Sequence, residues 1–316
     1  MKKAHSFLFA VVAFLALVVS LPAQQGPINP KAVALLRWYP ANVTTTFSAG
    51  DYPAGLAFDG ANIWITNNTT NTVQKRRASD GQLLGTFPVG SGPCGVAFDG
   101  ANIWTANNNT NTVTKLRASD GQLLGTYTVG PNPWRVRFDG ANIWTTNLGS
   151  NTVTKLRASD GHVVGTYTVG IAPRELIFDG SNIWVTSQGS SNVTKLRASD
   201  GQLLGAFPVG TDPGGVSFDG ANIWVSNWLN GTVEKLRASD GAVLANIYLG
   251  QYPTGQVFDG TNVWVALGWA NKVAKIRASD ATVLGFFATG VYPQDLAFDG
   301  ANVWSGNTED DTVSKL

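Results

Sequence analysis

Phe98-Asp99-Gly100-Ala101-Asn102-Ile103-Trp104 places an Asp-Gly turn signal between an apolar residue and a short run of β-formers. The same motif, with small changes, begins at Phe58, Phe98, Phe138, Phe178, Phe218, Phe258 and Phe298, always 40 residues apart. A strict period of this length marks a solenoid or a propeller. Outward from the motif, Gly95 to Asp99 is a short apolar run, and Ile103 to Ala106 is rich in β-formers. Thr112 to Ala118 alternates and ends at the Asp120-Gly121 turn; Leu123 to Val129 follows, closed by Gly130. Four antiparallel strands in about 40 residues make one blade of a β-propeller. The expected fold is all-β, a single seven-bladed propeller.

The ends of the repeat array carry a second expectation. The seventh unit stops at Leu316, after its third strand, while residues 43–50 align with the fourth-strand segment Leu83 to Gly90. The N-terminal strand is thus expected to complete the last blade, which also covers a sheet edge that would invite aggregation. Residues 43–316 form the propeller in this reading. Residues 24–42 are a linker, and 1–23 a signal peptide: Lys2 and Lys3, an apolar run from Phe7 to Leu21, then Pro22-Ala23 before Gln24. That apolar run is short of the roughly 20 residues of a membrane-spanning helix. An extracytoplasmic protein, secreted or periplasmic and without a membrane span once the signal is removed, is expected.

Composition narrows the function classes. With 43% hydrophobic and 14% charged residues, the chain is neither disordered nor a coiled coil. A single cysteine, Cys94, excludes a disulfide framework and a cysteine metal cluster, and His5 and His162 leave little for histidine chemistry. Without Lys2 and Lys3 the chain holds 20 basic and 21 acidic residues, so nucleic acid is an unfavoured partner. No cofactor and no metal site is expected. Glu309-Asp310-Asp311 lacks the spaced oxygen ligands of a calcium loop and reads as a solvated turn.

In an up-and-down blade the turns between strands 1 and 2 and between 3 and 4 share one face of the ring. That face is monotonous: 13 of the 21 acidic residues sit in the Phe-Asp-Gly and Arg-Ala-Ser-Asp turns. Turn geometry explains them, and the repeated Trp64-type side chains read as packing between blades. The opposite face, built by the 2–3 and 4–1 loops, is where copies differ. Asymmetry on a symmetric scaffold is where a specific site can be built, though unconstrained loops also drift.

The unrepeated residues fall into two sectors. Trp134, Arg135, Arg137, Arg174 and Glu175 lie on or beside inner strands three and four. They read either as a cationic, aromatic-edged mouth for an anionic ligand or as an Arg137–Glu175 ion pair plugging the ring. Tyr52, Trp228, Tyr252, Trp269 and Tyr292 occupy loops of blades one, five, six and seven. They suit stacking on a sugar or a peptide, or capping of the core. Asp295 is the other inner-strand acid beside Glu175.

Asn111-Thr112-Val113-Thr114-Lys115-Leu116, the ending Thr126-Tyr127-Thr128-Val129-Gly130, and Pro133 resemble YVTN-type propeller repeats of YncE-like periplasmic and surface-layer proteins. The Phe-Asp-Gly-Ala-Asn-Ile-Trp turn departs from that pattern and resembles NHL-like propellers. The resemblance covers residues 43–316 and implies the fold; the export signal, the closed ring, the near-identical blades and the one heterogeneous face point to an exported protein that binds a glycan, peptide or protein on its loop face, without catalytic residues. The alternative that the resemblance implies is a metal-dependent lyase or lactonase with its metal at the ring centre.

Overall fold

The computed structural model describes residues 45–250 and 252–316. The expected signal peptide and linker lie outside the described residues. Seven four-stranded antiparallel sheets follow one another in chain order. In the first blade the strands are Pro53–Phe58, Asn62–Asn67, Thr72–Arg77 and Leu83–Pro88, counted from the ring centre outward. Thr45–Ser48 pairs antiparallel with Thr312–Lys315, so the N-terminal strand supplies the outer strand of the seventh blade as expected. Apart from strands, the described residues hold only two three-residue 3₁₀ turns, Gln188–Ser190 and Gly268–Ala270.

Each heptad is one hydrogen-bonded device. Asp99 Oδ1 accepts the backbone N–H groups of Ala101 and Asn102 at 2.9 and 2.6 Å, while Oδ2 accepts Trp104 Nε1 at 2.7 Å. Gly100 sits at φ +97°, where a side chain would be strained. Burial pushes the Asp99 carboxyl up, but the bonds from Trp104, Asn102 and the backbone outweigh it and hold it below its ordinary value.

The same Trp is then committed to the neighbouring blade. Trp64 is fully buried with Val96, Ile103 and Leu116 of the second blade, and Trp304 packs with Leu56, Ile63 and Ile65 of the first. Lys75 lies over the Trp64 ring at 5.3 Å and donates to Ala118 O of the next blade at 2.7 Å. Lys315 repeats this strap across the closure, onto Ala78 O at 2.7 Å. Asp, Trp and Lys of one repeat thereby connect turn, core and adjacent blade. The exposed Arg77–Asp80 pairs and their copies contribute about 0–1 kcal/mol each.

Candidate functional site

The fixed proline at the start of each inner strand orders the ring centre into layers. Two residues after it stand Gly55, Gly95, Arg135, Glu175, Gly215, Gly255 and Asp295. The glycines are required by close approach: a Cβ on Gly215 would lie 2.1 Å from Thr254 O, and one on Gly55 2.3 Å from Cys94 O. Backbones therefore meet on four sides, and three charged side chains fill the middle.

Arg135 Nε donates to Glu175 Oε2 at 2.8 Å, and its Nη1 donates to Cys94 O at 2.8 Å and Ala54 O at 3.2 Å. Its Nη2 is 3.9 Å from Asp295 Oδ2. Arg137 Nη2 reaches Glu175 Oε1 at 3.0 Å. Asp295 also accepts the N–H groups of Leu56 and Leu296, each at 3.0 Å. Burial works against charge on Arg135, but Asp295 and Glu175 more than offset it and raise its pKa above the ordinary arginine value. Of the two readings of the first sector, the Arg137–Glu175 ion pair is present. Arg135, bridging two acids from different blades, is its larger part. The four charges balance and form a septum across the ring.

On the loop-face side of this septum lies a solvent-open cavity of about 70 Å³. Arg135 and Glu175 are its floor; Trp134, Arg174, Trp228 and Tyr292 stand in its walls, joined by Gln188, Asp212 and Gln294. The two sectors separated in the sequence thus meet in one cavity. Arg174 Cζ stacks 4.4 Å from the Trp134 ring centroid, and its guanidinium makes no ion pair among the described residues. Burial and then the nearby Arg135 lower its pKa, while Asp212 opposes them. Burial pushes the Asp212 carboxyl up, with a hydrogen bond from the Gln188 side chain and then the Arg174 charge pulling the other way. Trp228 Nε1, Asp212 Oδ1 and Gln294 Oε1 are buried without a hydrogen-bond partner among the described residues.

Other candidates stand around the cavity. Tyr252 packs edge-on against Trp228 at 5.4 Å and against Trp269 at 4.5 Å, forming an aromatic ledge beside the wall. Trp269 is 61% exposed and Tyr52 37%; neither lines the cavity. Arg137 and Asp295 belong to the septum, and Arg137 also borders the cavity at the opposite end of the ring. Tyr52, Asp212, Tyr252 and Tyr292 all take left-handed backbone conformations, φ 54° to 61°, immediately before the inner-strand proline. Asn271 Oδ1 clamps the Tyr292 N–H at 3.0 Å, whereas Gly231, at the corresponding position before Tyr252, has no side chain to do so. Gln188, Asp212 and Gln294 escaped the sequence reading. Asp212 and Gln294 flank the fixed proline at its most variable positions, which is the signal that could have found them.

Two features differ from expectation or sharpen it. The acidic run is more than a solvated turn: Asp310 Oδ2 accepts the Val291 N–H of the loop entering the same blade at 2.8 Å, and Asp311 Oδ1 accepts the Tyr52 N–H at 2.9 Å, stitching the closing blade to the first. Cys94 is buried, and burial pushes its thiol up to about 11 despite Arg135, Arg174 and a bond from Asn68 Nδ2.

The donor set does not fit a ring-centre metal. The place such an ion would take is held by the Arg135 guanidinium, and both inner-strand acids are occupied by arginine or backbone N–H groups. Among the described residues no three His, Cys, Asp or Glu side chains gather as a metal-binding group. His162 is exposed on a 3–4 turn, its N–H bonded to Asp160.

Solved structures share the architecture. A hydrazine synthase chain from Kuenenia stuttgartiensis superposes with TM-score 0.75 at 19% identity, covering 84% of this chain and 95% of that one. Virginiamycin B lyase from Staphylococcus aureus gives 0.75 at 17% identity, covering 86% and 98%. A streptogramin B lyase gives 0.74 at 19%, covering 86% and 96%. At such identities the likeness is one of fold, and a fold of this kind hosts unrelated chemistries. No protein-family model and no curated protein sequence matches the chain.

Proposed function

We propose that this propeller acts by binding, without catalysis, and that its ligand is a small carboxylate-bearing molecule or chain end seated in the loop-face cavity. One observation carries the reading: Arg174 is stacked on Trp134 in the cavity wall, partly desolvated and without a carboxylate partner of its own. A guanidinium so placed is pre-oriented for a planar anion, and its charge gains most where water is already displaced. The aromatic ledge of Tyr252 and Trp269 adds area for a sugar ring or a peptide side chain beyond the mouth.

The lyase structures share the propeller, but their activity calls for groups able to move a proton. Here the acids at the ring centre are tied into the septum. The repeat resemblance and the N-terminal apolar run support an exported, YVTN-like cell-envelope protein that meets glycans or peptides outside the cytoplasm.

The test is binding to arrays of acidic glycans and short peptides, run with the purified protein and with Arg174→Ala and Trp228→Ala. Loss of the bound set in both variants supports the cavity as the site. Binding that survives both moves the site elsewhere. N-terminal sequencing of the exported protein, expected to begin at Gln24, tests the localisation.

A further inference from the structure

We infer that the cavity is built for a small zwitterion, a molecule carrying a carboxylate and an ammonium together, as in a free amino acid or a short peptide. The inference rests on the binding reading above and goes on to name the ligand chemistry.

The septum beneath the cavity is neutral within itself, since Arg135 and Arg137 face Glu175 and Asp295. Above it stand two charges that are not ion-paired: Arg174 from the fourth blade and Asp212 from the loop entering the fifth. A simple anion would satisfy Arg174 but would leave Asp212 uncompensated beside it. A simple cation would do the reverse. Only a ligand bearing both signs neutralises both groups: an anion alone cancels the Arg174 charge that faces the half-buried Asp212, whose remaining partner is the neutral Gln188 side chain.

The unpartnered polar atoms divide the same way. Trp228 Nε1 is a donor, and together with Arg174 it asks for an acceptor such as a carboxylate. Asp212 Oδ1 and Gln294 Oε1 are acceptors and ask for N–H donors. An acidic sugar supplies the carboxylate and could offer hydroxyl donors, but it leaves the Asp212 charge without a counter-charge. The faces of Trp228 and Tyr292 in the wall further suit an apolar or aromatic side chain.

Isothermal titration of the purified protein tests this with five probes. They are L-phenylalanine, the dipeptide alanyl-phenylalanine, 3-phenylpropionate lacking the ammonium, phenethylamine lacking the carboxylate, and galacturonate. L-phenylalanine or the dipeptide should bind at least about tenfold more tightly than either half-molecule, because each half-molecule leaves one charged hydrogen-bonding group unpaired. Which of the two binds better separates the amino-acid source from the peptide source.

Asp212→Asn should weaken the zwitterion about tenfold and leave the 3-phenylpropionate affinity unchanged or improved. Arg174→Gln should weaken both. Equal losses for zwitterion and monocarboxylate in Asp212→Asn would overturn the inference. Tighter binding of galacturonate than of either zwitterion, abolished by Arg174→Gln, would overturn it too while upholding the anion-binding cavity. Absence of any binding sensitive to Arg174→Gln would sink both readings. Melting curves of the two variants confirm that each is folded.

Discussion

Removing Glu175 should destabilise the protein more than any exposed-charge substitution, because it holds two arginines at once. Its Oε2 accepts from Arg135 Nε at 2.8 Å, its Oε1 meets Arg137 Nη2 at 3.0 Å, and the Leu176 N–H adds a bond at 3.2 Å. Glu175 is 5% exposed and Arg135 4%, so water cannot take over for Arg135. With Glu175→Ala the septum carries two guanidinium groups against the single carboxylate of Asp295, 3.9 Å from Arg135. Breaking a buried pair from one side costs about 3–5 kcal/mol, because the remaining charge stays desolvated. For a domain of this size that is a fall of roughly 6–20 °C in Tm.

The assay is calorimetric melting at neutral pH of the wild type, Glu175→Ala, Arg137→Ala, the single variants Arg135→Met and Glu175→Met, and the double variant carrying both methionines. Arg137 is the more exposed partner, its side chain 24% accessible, so Arg137→Ala should cost much less than Glu175→Ala. The double variant should cost less than the sum of its two single changes, since a buried pair removed together leaves no orphan. A Glu175→Ala midpoint within about 2 °C of wild type, which is below 1 kcal/mol, would refute the septum as described. Strict additivity of the double variant would refute the coupling.

Asp212→Asn should leave Tm unchanged or raise it at neutral pH. Burial raises the Asp212 pKa above 3.8, so its contribution is favourable below that value and is lost as pH rises; the variant's advantage should vanish near pH 3. The turn aspartates such as Asp59, Asp99 and Asp299 have lowered values, so their stabilisation is present above 3.8 and disappears as pH falls through their folded values. Urea midpoints should therefore hold down to about pH 4.5 and drop below it; a midpoint that climbs throughout acidification contradicts the turn geometry. Phe47→Ala removes the half-buried ring stacked 5.7 Å from Trp304 at the closure, and should cost about 1–3 kcal/mol in chemical unfolding. Cys94, with its thiol pushed up to about 11, should resist a disulfide reagent at pH 8 until the protein unfolds. Rapid labelling of native protein would show that the inner strand of the second blade is open to solvent.

The sequence disclosed the fold more readily than the site for a physical reason. Seven copies of Asp-Gly-x-Asn-x-Trp state the same local bonds seven times, so the 40-residue period, the turns and the Trp packing are visible without coordinates. The strand from residue 45, closing the seventh blade, was legible from Phe47 and Gly50 falling on Phe87 and Gly90. The septum was only half legible. Arg137 and Glu175 belong to adjacent repeats, but Asp295 joins Arg135 across the ring, and no linear pattern places the third blade opposite the seventh. The cavity suffered the same loss: Trp134 and Trp228 stood out by size, whereas Asp212 and Gln294 matter only through what is missing around them.

The grouping of such absences in one cavity is an internal sign of a site. Elsewhere each turn aspartate accepts several bonds, and the strand-three lysines from Lys75 to Lys235, with Lys315, each find a carbonyl of the next blade, while the other buried orphans among the described residues, on Gln74, Arg76, Asn147, Ser187, Asn192, Asn227 and Glu234, lie outside the cavity lining. In the loop-face cavity a Trp N–H, a carboxylate oxygen and an amide oxygen lack partners together, beside a guanidinium held by an aromatic face alone. Three orphans in one cavity cost stability that the fold does not require, since other blades carry Tyr, Gly, Asn or Ala at the position of Asp212. Charges of both signs kept unpaired where the ring opens are groups whose partner arrives from outside the chain.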